Sequence, residues 1–514
     1  MAGRHLVRRL RIAATVALAA TLLAACGADA GHSDSSAKNP ANGAQGPTGA
    51  PEGLAEGVAT PTGDAGQDGK RAADGEVSAT DRPVSTFAVD VDTASYGFAK
   101  RTLQAGRRPS PSTIRPEEFV NSFDQQYREP DGNGFAITTD GTRLPDTHRN
   151  ADTDARLLRV GLQTRGESGS ARPDAALTFV VDVSGSMSEP GKLDLVQHGL
   201  DTLVDQLRPT DSVALVAYSD RAEVIRPMTP VRDREALHSA IGRLRVSGST
   251  NLEAGLRLGY DTAREGFRAS ATNRVILLSD GLPNVGKTEA TPLVREIQEA
   301  AAKQITLLGV GVGSDYGDRF MEQLADKGDG YVVYVSDRSE ADRVFVQQLP
   351  ATVSLRALDA KAQVEFDSKT VLSYRLIGYE NRALSASAFR NDRVDGGEVG
   401  PGHEVTALYA LHLRPGAEGH LADVRVRWQD PKTREASELS QPVTVGALDR
   451  DFAGAPAPVR VCYAAAYFAE VLRASRYAGE VRLTDLRGIA REAGESAQVR
   501  DLADLIDTAV SLYD

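Results

Sequence analysis

Cysteine is nearly missing from this chain of 514 residues: only Cys26 and Cys462 occur. That excludes a disulfide-framed scaffold, a cysteine zinc finger and an iron–sulfur centre. Aromatic residues make up 5 %, and none precedes Phe87. Excess positive charge is lacking too. The formal net charge is −12, and the first 25 residues hold Arg4, Arg8, Arg9 and Arg11 without one acid, so the remainder is more acidic still. Such a surface repels nucleic acid and anionic lipid headgroups, which argues against non-specific binding to either. Long hydrophobic runs are also missing, since Ile12–Ala20 is too short to span a bilayer comfortably. A hydrophobic fraction of 41 % still supplies apolar surface for folded cores, and the length allows about three domains of about 150 residues.

The start of the chain reads as an address. Arg8-Arg9-Leu10-Arg11 is basic, Ile12–Ala20 apolar, and Leu23-Ala24-Ala25-Cys26 closes the segment with small residues. This is the layout of a secretory signal peptide over 1–25. The last four residues resemble a bacterial lipobox, whose cysteine is lipidated and becomes the new N-terminus. The resemblance implies an exported protein, lipid-anchored through Cys26 to the outer face of the cell membrane. Cys462 then has no intramolecular partner, and in Val461-Cys462-Tyr463-Ala464 it reads as a small buried thiol. From Gly27 to Val84 the chain is rich in Gly, Ala, Pro, Ser, Thr and Asp. Such a stretch buries too little apolar surface to offset its ordering entropy, so 26–84 is expected to be a disordered tether.

From Asp174 onward short apolar runs alternate with amphipathic stretches. Strands are expected over Ala176–Val181, Ser212–Tyr218, Val275–Ser279, Ile305–Val312 and Tyr331–Val335. Helical spacing covers Lys192–Leu207, Arg234–Leu244, Leu252–Phe267, Thr291–Ala302, Arg319–Lys327 and Ser339–Gln348. The pattern predicts an α/β fold, a doubly wound, mostly parallel sheet over 173–350, with its ligand site beyond the carboxyl ends of the strands. Phe87–Val91, Gly134–Thr139 and Leu157–Gln163 read as strands before it, within a segment 85–172. Ala362–Phe366, Leu372–Tyr379, Val405–Leu413 and Val424–Trp428 alternate with period two after it, within 351–450. Strands from both flanks are expected to join one β-rich module into which the α/β unit is inserted. Val459–Leu472 and Leu483–Tyr513 return to helical spacing in a C-terminal segment over 451–514.

The chemistry concentrates where the first α/β strand ends, at Asp182-Val183-Ser184-Gly185-Ser186. Asp182, Ser184 and Ser186 alternate, so in an extended loop their side chains can converge, and Gly185 lets the backbone fold tightly. A carboxylate and two hydroxyls are hard donors suited to Mg²⁺ or Mn²⁺ rather than to zinc or copper. Two more oxygen donors are expected at strand-end positions. Thr250 lies in Gly248-Ser249-Thr250-Asn251 just before a helix, and Asp280 directly follows the strand Val275–Ser279.

In this order the five residues resemble the metal-ion-dependent adhesion site of the von Willebrand factor type A (VWA) domain. The resemblance implies that Ser184 and Ser186 bind the ion directly, Thr250 directly or through water, and Asp182 and Asp280 mostly through water. It implies a divalent cation, Mg²⁺ first with Mn²⁺ or Ca²⁺ as the other choices. It further implies a protein partner offering an Asp or Glu carboxylate, and no catalytic residues. Ser85–Tyr96, Arg115–Asn121 and Tyr374–Arg382 resemble segments of a bacterial family of VWA lipoproteins, the last belonging to that family's uncharacterised C-terminal domain.

Two other motifs compete for attention. Asp90-Val91-Asp92-Thr93-Ala94-Ser95 reads as a half-formed metal loop, or as an Asx turn or cap for a helix Ala94–Leu103. Gly281-Leu282-Pro283-Asn284-Val285-Gly286-Lys287-Thr288 matches the phosphate-binding loop GxxxxGK[ST] between a strand and a helix, so a nucleotide-binding protein is the rival reading. Against it, Ile305–Val312 ends in Gly313-Ser314 rather than an aspartate that would orient Mg²⁺. A third reading keeps the metal but makes it purely structural. His198 and His238 fall within helical patterns and no GxSxG elbow is present, which disfavours a serine hydrolase.

Overall fold

The computed structural model of the protein describes residues 75–513, apart from 90–92, 146–153, 167–171, 282–290, 314–320, 322–323, 326, 329, 331, 336–337, 350–354, 393, 395, 432, 480 and 495. Before the α/β unit come β1 (Val77–Ser78), β2 (Val84–Ala88), α1 (Ala94–Gln104), α2 (Pro116–Val120), β3 (Phe135–Arg143) and β4 (Asp154–Thr164). The unit supplies β5 (Asp174–Asp182), α3 (Leu193–Gln206), β6 (Ser212–Tyr218), β7 (Ala222–Pro230), α4 (Arg234–Ile241), α5 (Leu252–Glu265), β8 (Ala271–Ser279), α6 (Thr291–Ala301), β9 (Ile305–Val312), β10 (Val332–Val335) and α7 (Arg338–Asp342). After it come β11 (Leu358–Phe366), β12 (Val371–Leu376), β13 (Ala383–Leu384), β14 (Glu404–Leu413), β15 (His420–Gln429), β16 (Ala436–Thr444), α8 (Ala457–Leu472), α9 (Leu483–Ala493) and α10 (Ala497–Tyr513).

The α/β sheet has the order β10-β9-β8-β5-β6-β7, parallel throughout except for β7, which runs antiparallel to β6. Helices cover both faces, so the central strands are apolar along their whole length. Phe179 and Val181 of β5 join one core with Leu200 of α3 and Leu237 of α4, whereas Val180 faces the other with Leu256 and Tyr260 of α5. The chain leaves β5 toward β6 on one side and later returns through β8 on the other. This reversal makes the carboxyl ends of β5, β6 and β8 the switch point of the sheet, the place where doubly wound folds bind ligands.

Two glycines set how closely α5 approaches this sheet. A Cβ on Gly255 would stand 2.6 Å from the Tyr218 ring, and one on Gly259 would stand 2.3 Å from Val180 Cγ2. Gly255→Ala should therefore push α5 outward and cost about 1–3 kcal/mol, an overpacking penalty. Urea denaturation of the variant checks this, and an unchanged midpoint would contradict it.

The remaining strands form two antiparallel sheets, ordered β1-β12-β14-β4-β3 and β13-β2-β11-β15-β16. β4 pairs with β14 from Asp154↔Leu413 to Gln163↔Glu404, and β2 pairs with β11. Strands from before and after the α/β unit thus share both sheets, so the unit is an insertion, as the alternating pattern predicts. Phe87, Val160, Phe366, Tyr374, Tyr409 and Val424 share one core between them, with the Phe366 and Tyr374 rings stacked at 4.4 Å. A helical layer joins α1 and α2 to α8, α9 and α10 through Leu103, Phe119, Cys462, Leu486 and Ile506.

Several expected boundaries shift. The expected tether to Val84 runs too far, because Val77 already pairs with Tyr374 and is 3 % exposed. The strand expected over Phe87–Val91 is Val84–Ala88. Leu483–Tyr513 is two helices, interrupted around Gly494. The helix expected over Arg319–Lys327 falls largely outside the described residues, and Arg343–Gln348 is a π-helical turn after α7. β7 and β16 were not anticipated.

Candidate metal centre

Asp182 closes β5 and is fully buried. Its Oδ1 accepts the Ser184 N–H at 2.8 Å, which turns the chain back over the strand end. Its Oδ2 accepts the Ser279 hydroxyl at 2.8 Å and the Tyr218 hydroxyl at 3.2 Å. Three neighbouring strands thus fix one carboxylate. Burial pushes this carboxyl above the usual range, and the Asp280 charge adds to the shift; hydrogen bonds from Ser184 and Ser279 oppose it. A desolvated carboxylate of this kind is stabilised by a cation nearby.

The hydroxyls follow in sequence. Ser184 Oγ lies 3.1 Å from Ser186 Oγ, and Ser186 donates to Asp280 Oδ1 at 2.9 Å. Ser184 is buried, whereas Ser186 is exposed, so the group opens outward at its Ser186 end. Asp280 follows β8, and its Oδ2 accepts from Lys192 Nζ at 2.8 Å.

Thr250 reaches this end of the sheet through backbone ties. Ser247 N–H donates to the Val183 carbonyl at 2.7 Å, Gly185 N–H to the Gly248 carbonyl at 3.1 Å, and Asn251 N–H to the Ser219 carbonyl at 2.7 Å. Gly248 sits at φ +68, where a Cβ would also come within 2.5 Å of Asp220 Oδ1. Asn251 then caps α5 by accepting the Ala254 N–H at 3.1 Å. Thr250 is 5 % exposed on the loop so tied.

The structure therefore gathers Asp182, Ser184, Ser186 and Asp280 in one hydrogen-bonded group and lays the Thr250 loop against it. The donors are hydroxyl and carboxylate oxygens, which fit a hard divalent ion. Among the described residues no cluster of three or more His, Cys, Asp or Glu side chains could hold a metal ion, so an ion at this end depends on the hydroxyls. Sequence reasoning missed Lys192, Tyr218 and Ser279. Tyr218 and Ser279 were visible only as strand residues and Lys192 only as a helix start.

The other candidates separate from this group. Gly281 is described, but the rest of the phosphate-loop match to Thr288 lies outside the described residues, as do Cys26 and Asp90–Asp92. Thr93 makes no side-chain cap to α1; Glu118 of α2 instead accepts the Ser95 N–H at 2.7 Å. His198 pairs with Asp342 at 3.0 Å and His238 with Asp201 at 2.7 Å, both on helix surfaces. Cys462 is buried and donates to Gln125 Oε1 at 2.9 Å, and burial pushes its thiol up to about 12.

Residues 176–348 match the von Willebrand factor type A domain, 351–423 and 415–512 the C-terminal domain of uncharacterized protein YfbK, and 69–151 a further von Willebrand factor family. The chain is 31 % identical over 447 residues to uncharacterized protein YfbK of Escherichia coli strain K12, covering 81 % of this chain and 76 % of that one. The chain belongs to the YfbK family of VWA proteins. It is 25 % identical over 302 residues to uncharacterized protein sll0103 of Synechocystis, covering 57 % of this chain and 70 % of that protein. Human inter-alpha-trypsin inhibitor heavy chain H3 is 25 % identical over 234 residues, which cover 44 % of this chain and 26 % of that one. Among solved structures, a von Willebrand factor type A protein from Catenulispora acidiphila superposes with a TM-score of 0.45 at 19 % identity, over 74 % of this chain and 91 % of that one. The VWA domain is a protein-interaction and adhesion fold, and its members commonly bind a divalent cation at a metal-ion-dependent adhesion site.

Proposed function

We propose that this YfbK-family protein is a cell-envelope lipoprotein whose VWA unit binds a partner protein through a divalent cation, with Mg²⁺ the ion best suited to its donors. Ser184 and Ser186 are assigned direct ligation, Thr250 direct or water-mediated ligation, and Asp182 and Asp280 ligation through water. The supporting observation is the convergence of Ser184 Oγ, Ser186 Oγ and Asp280 Oδ1 within successive hydrogen-bond distances at the carboxyl ends of β5 and β8. Few direct carboxylates leave the ion electrophilic, so an Asp or Glu side chain of the partner completes its shell. No residue here is assigned a catalytic role. The lipobox-like stretch ending at Cys26 supports export and anchoring.

Calorimetric titration of Mg²⁺ and Mn²⁺ into the purified protein tests the ion, and a pull-down from envelope extracts with and without EDTA tests the partner. One saturable site, with a partner released by chelation, is the expected result. Equal partner retention in excess EDTA would refute the recognition mechanism. Metal binding that stabilises the fold without any chelator-sensitive partner would leave the metal a structural part.

A further inference from the structure

Lys192 puts a positive charge against a carboxylate of a candidate cation site. Its side chain is 7 % exposed, and Nζ lies 2.8 Å from Asp280 Oδ2 and 2.9 Å from Glu189 Oε2. The other oxygen of Asp280 accepts from Ser186. One carboxylate is thus divided between a hydroxyl assigned to the proposed ion and an ammonium. The stem of Lys192 is held as well. Gly313, at φ +95 after β9, packs beside it so closely that a Cβ would stand 3.1 Å from Lys192 Cε.

Building on the proposed cation site, we infer that Lys192 is an internal counter-cation that keeps the site's affinity for a bare divalent ion low. A dication held at Ser186 and the Lys192 ammonium would draw on the same Asp280 charge, whose two oxygens meet Ser186 and Lys192. The two cations would repel each other in a partly buried setting, where water screens them poorly. A partner carboxylate adds the missing negative charge. Ion and acidic ligand therefore bind with positive, reciprocal coupling, and the site discriminates between an isolated ion and an ion presented with a partner.

The test is calorimetric titration of Mn²⁺ alone into the full-length protein and two variants. Lys192→Met is expected to bind Mn²⁺ at least about tenfold more tightly than the parent. Glu189→Gln strips a counter-charge from the ammonium and is expected to weaken binding by roughly threefold, as befits an exposed partner. Binding by Lys192→Met alone, with none in the parent, also supports the inference. Equal or weaker affinity in Lys192→Met, with the near-ultraviolet spectrum of the parent retained, overturns the inference and leaves the proposed site standing. If Lys192→Met does not fold, Glu189→Gln decides, and unchanged or tighter binding overturns the inference. Saturable binding in none of the three overturns the cation site and the inference with it.

Discussion

Asp182→Ala is expected to lower Mg²⁺ and Mn²⁺ affinity by at least about 100-fold, the largest effect of any single change at the site. Asp182 is fully buried and accepts the Ser184 N–H that turns the loop, and in the proposed site it would also supply a counter-charge for the ion. An ion at 100 times its dissociation constant stabilises the parent by about 2.7 kcal/mol, and the same concentration would stabilise the variant by only about 0.4 kcal/mol. Without ion, two terms oppose each other. Alanine removes a desolvated charge but takes one acceptor from the Ser279 and Tyr218 hydroxyls, of which Ser279 keeps the Gly281 carbonyl at 3.2 Å. The metal-free melting temperatures should therefore differ less than the metal-bound ones. Parallel melting curves with EDTA and with excess Mg²⁺ make the comparison. A metal-induced shift of the same size in both proteins would remove Asp182 from the site.

The α/β unit was legible because burial on both faces forces whole strands to be apolar. Ser212–Tyr218 and Ile305–Val312 match their expected bounds residue for residue. β7 escaped because it is an edge strand: Pro227, Pro230, Arg226 and Glu223 lie in it, and most of it is not buried. β16, Ala-Ser-Glu-Leu-Ser-Gln-Pro-Val-Thr, is likewise an exposed edge and carries no alternating apolar face. Of the candidate site, the proposed ligand residues were legible because they stand in motifs of short polar residues, at the ends of β5 and β8 for Asp182, Ser184, Ser186 and Asp280. Thr250, expected at a strand end as well, lies instead in the loop between α4 and α5. The supports of these residues were not legible. Tyr218 lies 36 residues from Asp182 and Ser279 97 residues from it, and each serves through a hydroxyl that a strand pattern does not reveal. The cap on α1 shows the same limit. Local sequence pointed to Asp90–Thr93, of which only Thr93 is described; it makes no side-chain cap, and Glu118, 23 residues beyond Ser95, accepts the Ser95 N–H.

Glu470→Ala is expected to destabilise the protein by about 3–5 kcal/mol at neutral pH, because it breaks a buried ion pair from one side. Glu470 lies on α8 with no solvent exposure, and its Oε1 accepts from Arg375 of β12 at 2.9 Å and from Arg473 at 3.0 Å. Arg473 keeps Glu380 at 2.8 Å, but Arg375 is 5 % exposed and would lose its carboxylate while stacked 4.0 Å from the Tyr477 ring centroid. Burial alone would raise the Glu470 carboxyl, yet the Arg375 and Arg473 charges outweigh it and hold the group below its ordinary value. A lowered folded value gives stability that is complete above the unfolded carboxyl's titration, near pH 4.3, and is lost as pH falls through the folded value. Urea midpoints of the parent and of Glu470→Ala should therefore differ most above about pH 5 and converge in stronger acid. A loss under about 1 kcal/mol at pH 7 would mean that water reaches Arg375 once the carboxylate is gone. The larger loss would mean that α8 is stapled to the sheet that also contains β4 and β14, so the segment after the VWA unit helps hold the frame into which that unit is inserted.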